Sequence, residues 1–173
     1  KKQWRSDYHV TYNDINPEAL AFYQKNAQQI QWNNFLLENG QDAIQRRKHD
    51  LILCNPPYIP RKWSVEDNAY EWLELAQNIL KNLDTALTPN GKLLINFSSL
   101  SMEIMMPLFE EMQEQWRSIQ RVATQVVPLK VLNILNNPVW MKELQANPWL
   151  IEEKWVWVHK YWHSINLLEI KRI

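Results

Sequence analysis

The segment Asn55-Pro56-Pro57-Tyr58 has the residue types best suited to chemistry in this 173-residue chain. Its two prolines fix two φ angles and remove two N–H donors, so the segment is stiff and presents mainly hydrogen-bond acceptors. The Asn55 side-chain oxygen and the Pro56 carbonyl oxygen could accept two hydrogen bonds from one NH2 group. Such a nitrogen is a poor nucleophile because its lone pair is delocalised, and two acceptors help to localise that pair. We therefore expect this segment to orient a planar nitrogen, with Tyr58 stacked on the flat face of the acceptor.

The element that must position this segment is the apolar run Asp50–Cys54, which is typical of a buried parallel strand. Open α/β sheets bind ligands at the carboxyl ends of their parallel strands, which is where the segment begins. Strand patterns recur at 8–12, 32–38, 92–97 and 120–128, and helical patterns at 17–27, 69–87 and 101–116. This alternation predicts an α/β fold with a mostly parallel, doubly wound sheet.

The C-terminal part departs from the alternation. A mixed segment at 131–150 precedes the long strand-like run Trp155–Ile173, which we interpret as an antiparallel edge strand. Aromatic side chains occur on both faces of this run. We favour core packing over a platform for stacked bases, because basic residues are sparse there. No repeat or flexible linker divides the sequence, so we predict a single domain over residues 1–173.

The run from Asp50 to Pro60, which contains the Asn-Pro-Pro-Tyr segment, resembles the signature of class I N-methyltransferases. It is most similar to the release-factor glutamine N5-methyltransferases, and next to the adenine N6-methyltransferases. The resemblance implies a Rossmann-like class I methyltransferase fold and S-adenosylmethionine as cofactor. It also implies a catalytic role for Asn55, Pro56, Pro57 and Tyr58, with Asn55 in addition facing the cofactor.

A second segment, Asp14–Leu20, resembles the family's second nucleotide-binding segment. By this resemblance Asp14 accepts hydrogen bonds from the ribose hydroxyls of the cofactor, with Ile15 beside it. Asp42 lies eight residues before Asp50, about where the family has a polar residue against the adenine amino group. The alternatives are an ordinary turn residue at position 14 and a solvated loop aspartate at position 42.

The glycine content departs from the family pattern. The sequence has only two glycines, Gly40 and Gly91. Family members bind the methionine part of the cofactor with a Gly-rich loop after the first strand, and this chain has no such loop. We therefore expect a methyltransferase domain that lacks the first strand and the Gly-rich loop, with further residues before Lys1 in the whole protein. Gly91 fits the turn Thr88–Gly91 before a family strand.

Charge bears on the acceptor. Nineteen basic residues balance nineteen acidic ones, so no global field attracts a polyanion. The leading hypothesis is methyl transfer to a glutamine amide of a protein substrate that resembles a release factor. One alternative is transfer to adenine N6 in RNA or DNA, for which nucleic acid would be the partner. The other is a non-catalytic methyltransferase-like binding module.

The remaining patterns bear on metals, thiols and membranes. The four histidines show no metal-ligand spacing, so we expect no metal. The single cysteine, Cys54, lies in an apolar run and is expected to be a core residue rather than a reactive thiol. No apolar run reaches 18 residues, which predicts no membrane span and, by default, a cytoplasmic location.

Overall fold

The computed structural model describes residues 9–26, 32–38, 40–60, 73–115, 117–129, 135–153 and 161–173. The chain forms two compact units that divide between Lys48 and His49. The organisation of residues 1–173 as a single methyltransferase domain stays a prediction.

The N-terminal unit alternates strands and helices, and its first three elements follow the predicted order. Its elements are β1 (His9–Asp14), α1 (Pro17–Asn26), β2 (Trp32–Leu37) and α2 (Gly40–Gln45). β1 and β2 pair in parallel from His9 opposite Trp32 to Asp14 opposite Leu37, so their carboxyl ends lie at one edge. α1 begins as predicted, because the Asn16 side-chain oxygen accepts a hydrogen bond from the Glu18 N–H at 2.9 Å. α2 was not predicted, since six residues are too few for a clear helical period.

The C-terminal unit contains the longer sheet. Its elements are β3 (His49–Cys54), α3 (Glu74–Lys81), α4 (Leu83–Ala86), β4 (Leu87–Ser98), α5 (Met102–Glu114), β5 (Arg117–Pro128), α6 (Pro138–Gln145), β6 (Ile151–Glu152) and β7 (Tyr161–Arg172). The strand order is β3-β4-β7-β5, with β6 also paired to β7. β3 is parallel to β4, and β7 is antiparallel to its neighbours. All strands of this sheet except β7 therefore share one direction, which confirms a mostly parallel sheet with an antiparallel C-terminal strand.

The position of β7 corrects one expectation. β7 is not an edge strand, because it lies between β4 and β5. Residues 161–170 of β7 are all buried or half-buried, which is typical of a strand with neighbours on both sides. β5 lies at the edge instead, and its residues 120–126 are exposed. The first part of the predicted run, Trp155–Lys160, lies outside the described residues.

The core of this unit is formed by apolar residues of the sheet and of the helices α3 and α5, with α5 packed against β4. The buried core residues of these elements are Leu93, Ile95 and Phe97 on β4, Ile170 on β7, Ala76, Ile79 and Leu80 on α3, and Met105, Phe109 and Met112 on α5. The rings of Phe97 and Phe109 meet edge to face, with centroids 5.4 Å apart. Each large apolar side chain buried in this way contributes roughly 1.5–3 kcal/mol. This packing gives β4 a fixed position, against which β3 and its loop are held.

The burial of β3 is a second correction. Its apolar run predicts a strand that is buried on both faces, and Ile52 is indeed only 8% exposed. Leu51 and Leu53, however, are 47% and 71% exposed. β3 pairs with β4 on one side, and within the described part of the chain no strand pairs with its other side. A run of apolar residues predicts the strand but does not report whether both faces are covered.

The predicted turn Thr88–Gly91 lies within β4 instead of before it. His49 is opposite Leu87 and Leu51 is opposite Lys92, so the four residues between Leu87 and Lys92 form a bulge. Gly91 is needed there because a Cβ atom at this position would lie 2.6 Å from the backbone oxygen of His49. The helical pattern at 69–87 corresponds to α3 and α4, which end at Ala86, and its residues 69–72 lie outside the described part of the chain.

Candidate functional site

The Asn-Pro-Pro-Tyr segment forms a loop directly after β3, where the sequence predicts it. Asn55 is exposed, and its side-chain oxygen accepts a hydrogen bond from the Asn96 side-chain N–H at 3.0 Å. A carboxamide oxygen has two lone pairs, so one acceptor site of Asn55 remains available. Pro56 is buried, and within the described residues its carbonyl oxygen accepts no hydrogen bond. Both acceptors that the sequence predicts therefore retain hydrogen-bonding capacity.

A shallow cavity adjoins the start of the loop. Its volume is about 230 Å³, and Leu53, Cys54, Asn55, Leu94, Asn96 and Leu167 line it. The lining is apolar except for the two asparagines, which face one another across β3 and β4. A cavity with apolar walls and a few polar groups suits a flat organic group that is oriented by hydrogen bonds.

Serines at the end of β4 connect the loop with the rest of the unit. The Ser101 hydroxyl is fully buried and donates a hydrogen bond to the Tyr58 carbonyl oxygen. The Ser99 hydroxyl accepts a hydrogen bond from the Ser164 N–H at 3.1 Å. The Ser98 hydroxyl pairs with the Nδ1 atom of His163 at 2.8 Å. The three serines thus tie the end of β4 to the loop and to β7.

His163, the partner of Ser98, also lies beside Tyr58. The two rings are tilted by 38° with centroids 6.4 Å apart, and His163 is only 3% exposed. Burial lowers the pKa of the His163 imidazole below its usual range, because the cation would lose its hydration. The ring is therefore neutral near pH 7, and it packs on Tyr58 without adding a positive charge to the loop.

Cys54 is the last residue of β3 and lies next to the loop. Burial raises the pKa of its thiol to about 12, because the thiolate would lose its hydration. The thiol is therefore protonated at neutral pH, in accord with the predicted core role. Orientation of a planar nitrogen by hydrogen-bond acceptors requires no nucleophilic cysteine.

The predicted cofactor residues lie in the N-terminal unit. Asp14 ends β1 and is half-buried, and its carboxylate accepts a hydrogen bond from the Asn16 N–H at 2.9 Å. Among the described residues it has no other hydrogen-bond partner, so its second oxygen can accept from a ligand. Ile15 follows it and is 37% exposed. Asp42 is exposed in the first turn of α2, just beyond the carboxyl end of β2.

The structure therefore assembles the predicted residues in two groups. Asn55 to Tyr58 form one loop in the C-terminal unit, whereas Asp14, Ile15 and Asp42 follow the strand ends of the N-terminal unit. Sequence reasoning missed Asn96, Ser101, Trp140 and His163, which contact the loop or its flank. One signal was available for Asn96, because a polar residue interrupts the apolar run 93–97 near the carboxyl end of a strand.

The sequence of the chain matches a known protein family. Residues 2–127 match the family model of the methyltransferase small domain, which is more than half of the chain. The chain belongs to this family. Its membership confirms the predicted Rossmann-like methyltransferase fold, a methyltransferase as the class of enzyme, and S-adenosylmethionine as the cofactor.

Solved structures of low sequence identity share the fold of this methyltransferase. SMU.1697c from Streptococcus mutans, solved in complex with SAH, is 16% identical with a TM-score of 0.54, over 95% of this chain and 76% of that one. YcgJ from Bacillus subtilis is 9% identical with a TM-score of 0.55, over 95% and 83%. Precorrin-6y C5,15-methyltransferase from Geobacter metallireducens is 8% identical with a TM-score of 0.51, over 95% and 67%. No curated protein sequence matches the chain.

Two findings concern metals and membranes. Within the described ranges no group of three or more His, Cys, Asp or Glu side chains could hold a metal ion. Among the helices of those same ranges, none is long and apolar enough to cross a membrane.

Proposed function

We propose that this methyltransferase transfers a methyl group from S-adenosylmethionine to the amide nitrogen of a glutamine side chain in a protein. The observation that supports the proposal most strongly is the Asn55 carboxamide, held by Asn96 at the carboxyl end of β3 beside an apolar cavity. The release-factor glutamine N5-methyltransferases, which the loop sequence resembles, supply the acceptor class.

The loop residues act on the acceptor through hydrogen bonds and stacking. The Asn55 side-chain oxygen and the Pro56 carbonyl oxygen accept the two amide hydrogens, so the NH2 group is fixed and its lone pair is localised. Tyr58 packs against the flat amide. Pro57 has no N–H group, so its backbone cannot donate a hydrogen bond to the Pro56 carbonyl oxygen in competition with the substrate.

The methyl donor, S-adenosylmethionine, requires a second set of contacts, and the chain has side chains that suit them. The free oxygen of Asp14 suits a ribose hydroxyl, Ile15 offers an exposed apolar side chain to the adenine ring, and Asp42 could accept from the adenine amino group. When bound, S-adenosylmethionine would supply the methyl group of its sulfonium: the S–CH3 bond would break as the N–CH3 bond forms, the thioether would leave, and the nitrogen would lose a proton to solvent.

The alternative acceptor is adenine N6, because its NH2 group is planar and conjugated like that of an amide. The equal numbers of basic and acidic residues favour a protein acceptor over a polyanion. A cytoplasmic location stays a prediction.

The test uses tritium-labelled S-adenosylmethionine with the full-length protein and an extract from cells that lack it. We expect label in protein, removed by protease digestion but retained after nuclease treatment, and released as methylamine by acid hydrolysis. We expect Asn55→Ala to lower the transfer rate roughly a hundredfold, since it removes one of two oriented contacts. Asn90→Ala, at an exposed position of the β4 bulge, is the matched control and should leave the rate unchanged.

The outcomes separate the candidates. Label recovered as N6-methyladenine would replace the glutamine acceptor by adenine. Equal rates for Asn55→Ala and Asn90→Ala would refute the role of the loop. A wild-type protein that labels neither fraction would refute the methyl-transfer proposal and favour the binding module.

A further inference from the structure

The backbone of the candidate loop is supported from outside the loop. Residues Asn55 to Pro60 include three prolines, which have no N–H group, so the loop has few donors of its own. Two side chains donate to its carbonyl oxygens instead. The Ser101 hydroxyl donates to Tyr58, and the Trp140 indole N–H donates to Pro60 at 2.9 Å. The loop is thus held at two backbone positions by groups distant in sequence.

Trp140 is fixed at the start of α6. It is only 4% exposed, and its backbone N–H donates to the side chain of Asn137, which caps the helix, at 3.1 Å. It belongs to a buried apolar cluster with Leu100, Leu129, Met141 and Leu144, against which Ile59 of the loop also packs. The indole N–H therefore has little freedom to move away from the Pro60 carbonyl.

The cluster is also joined to the end of β4. The Asn147 side-chain N–H, just after α6, donates to the Leu100 carbonyl oxygen at 2.8 Å. Leu100 is the neighbour of Ser101 and belongs to the same cluster. The two donors that hold the loop thus stand on one connected piece of structure, and a single displacement of α6 would affect both.

We propose that Trp140 is a positioning residue for methyl transfer, acting through the Pro60 carbonyl and assisted by Ser101 at Tyr58. This inference rests on the proposed function, because it assigns Trp140 the task of keeping the Asn55 and Pro56 acceptors aligned with the nitrogen. Displacements of about 1 Å in such groups can lower a rate by about a hundredfold, so a contact remote from the reacting atoms is sufficient to affect turnover.

The first test is kinetic, in the full-length protein with tritium-labelled S-adenosylmethionine and the protein fraction of the extract. Trp140→Phe removes the indole N–H and keeps an aromatic ring in the cluster. We expect roughly a tenfold lower kcat with little change in the KM for the donor, since the ground-state contacts of the donor are untouched. Trp149→Phe is the matched control, because Trp149 is 49% exposed and should leave kcat unchanged.

A second pair of variants covers the possibility that Trp140→Phe folds poorly. Ser101→Ala removes the other donor and should lower kcat in the same way, whereas Ser101→Thr, which keeps a hydroxyl, should restore part of the rate. A purely structural role would lower the melting temperature without altering kcat in the protein that remains folded. Unchanged kcat in both Trp140→Phe and Ser101→Ala would overturn the proposal.

A measurement that needs no acceptor separates this inference from the proposed function. The indole N–H of Trp140, identified by its loss in Trp140→Phe, should exchange with solvent much more slowly in NMR spectra than that of Trp149. Equally fast exchange would show that the contact does not form and would overturn the proposal. Slow exchange in a wild-type protein that transfers no methyl group would confirm the contact but refute both the proposed function and the positioning role.

Discussion

At the scale of single residues, the orientation of one carboxamide decides what the loop can bind. An asparagine side chain presents an acceptor at one end and donors at the other, and a half-turn exchanges them. The hydrogen bond from the Asn96 N–H to the Asn55 oxygen fixes the orientation of the Asn55 carboxamide. In the proposed reaction Asn55 would offer its second oxygen lone pair to the substrate NH2 group, whereas a flipped Asn55 would present its own N–H donors to those of the substrate.

Substitution of Asn96 tests this orientation. Asn96→Ala frees the Asn55 side chain to rotate, and we expect kcat to fall roughly five- to tenfold in the labelled-donor assay. Asn96→Asp should be worse, because a carboxylate attracts the Asn55 NH2 and turns the oxygen away. The melting temperature should change little in either variant. If Asn96→Asp transferred methyl groups as fast as the wild type, the pair would not position Asn55.

The residues of the loop could be predicted from sequence, but their partners could not. Asn55 to Tyr58 are consecutive, so the role that we predict for them can be inferred from a short stretch of sequence. Asn96, Ser101 and Trp140 lie 41, 43 and 80 residues from the loop residues to which they donate. Strand pairing and helix packing bring them there, and neither is encoded locally. The nearest sequence signal was a lone polar residue within the apolar run of β4.

At the scale of elements, the pairing of β3 with β4 determines where the loop begins. The sequence predicts both strands, but it predicts a turn at Thr88–Gly91 where the structure has a bulge inside β4. A Thr-Pro-Asn-Gly sequence fits either geometry, and only the register between His49 and Leu87 distinguishes them. The Thr88 hydroxyl also donates to the Asp50 carboxylate at 2.8 Å, which anchors the bulge to β3.

Gly91 is the residue of the bulge that tolerates least change. A methyl group there would clash with the His49 backbone oxygen, and backbone can move only by shifting β3. We expect Gly91→Ala to lower the free energy of unfolding by roughly 1–3 kcal/mol, measured by urea denaturation. Asn90→Ala, at the neighbouring exposed position, should change the free energy of unfolding by less than about 0.5 kcal/mol. Similar values for the two variants would contradict the close approach that we describe.

The strand order shows a further limit of the sequence. The predicted antiparallel direction of β7 is confirmed by its pairing with β4 and β5. Its place between β4 and β5 depends on which of the strands pairs with the free edge of β4. That choice depends on how much apolar surface each arrangement buries in total, and no local pattern reports it.

At the scale of the whole C-terminal unit, one carboxylate joins three elements. Asp84 on α4 accepts hydrogen bonds from Arg117 on β5 and from Arg172 on β7. Arg117 is only 5% exposed, and within the described residues its Nη1 atom has no hydrogen-bond partner. The hydrogen bond from Arg172, followed by the charge of Arg117, lowers the pKa of the Asp84 carboxyl below its usual range.

Removing that carboxylate should destabilise the unit. Asp84→Asn leaves the buried Arg117 charge without its counter-ion, and we expect a loss of roughly 1–3 kcal/mol at pH 7, less than for a fully buried pair because solvent screens Asp84. A carboxyl group whose pKa is lower in the folded state stabilises that state at pH values above its unfolded-state pKa. The stabilisation is lost as the pH falls through the folded-state pKa. The difference between variant and wild type should therefore shrink below about pH 4.

The measurement is urea denaturation of both proteins between pH 3 and pH 7. Glu110→Gln, an exposed carboxylate on α5, is the control and should match the wild type across the series. A difference for Asp84→Asn that stays constant with pH would mean that its effect is not electrostatic.

The two edges of the strand that carries the loop differ. On the side of β3 away from β4, its backbone groups pair with no strand among the described residues, and Leu51 and Leu53 add exposed apolar area. Another extended peptide can pair with such an edge, and its backbone then forms the hydrogen bonds that water would otherwise form. A peptide added along this edge would lie beside the first residue of the loop, so pairing at the edge of β3 would also affect access to Asn55.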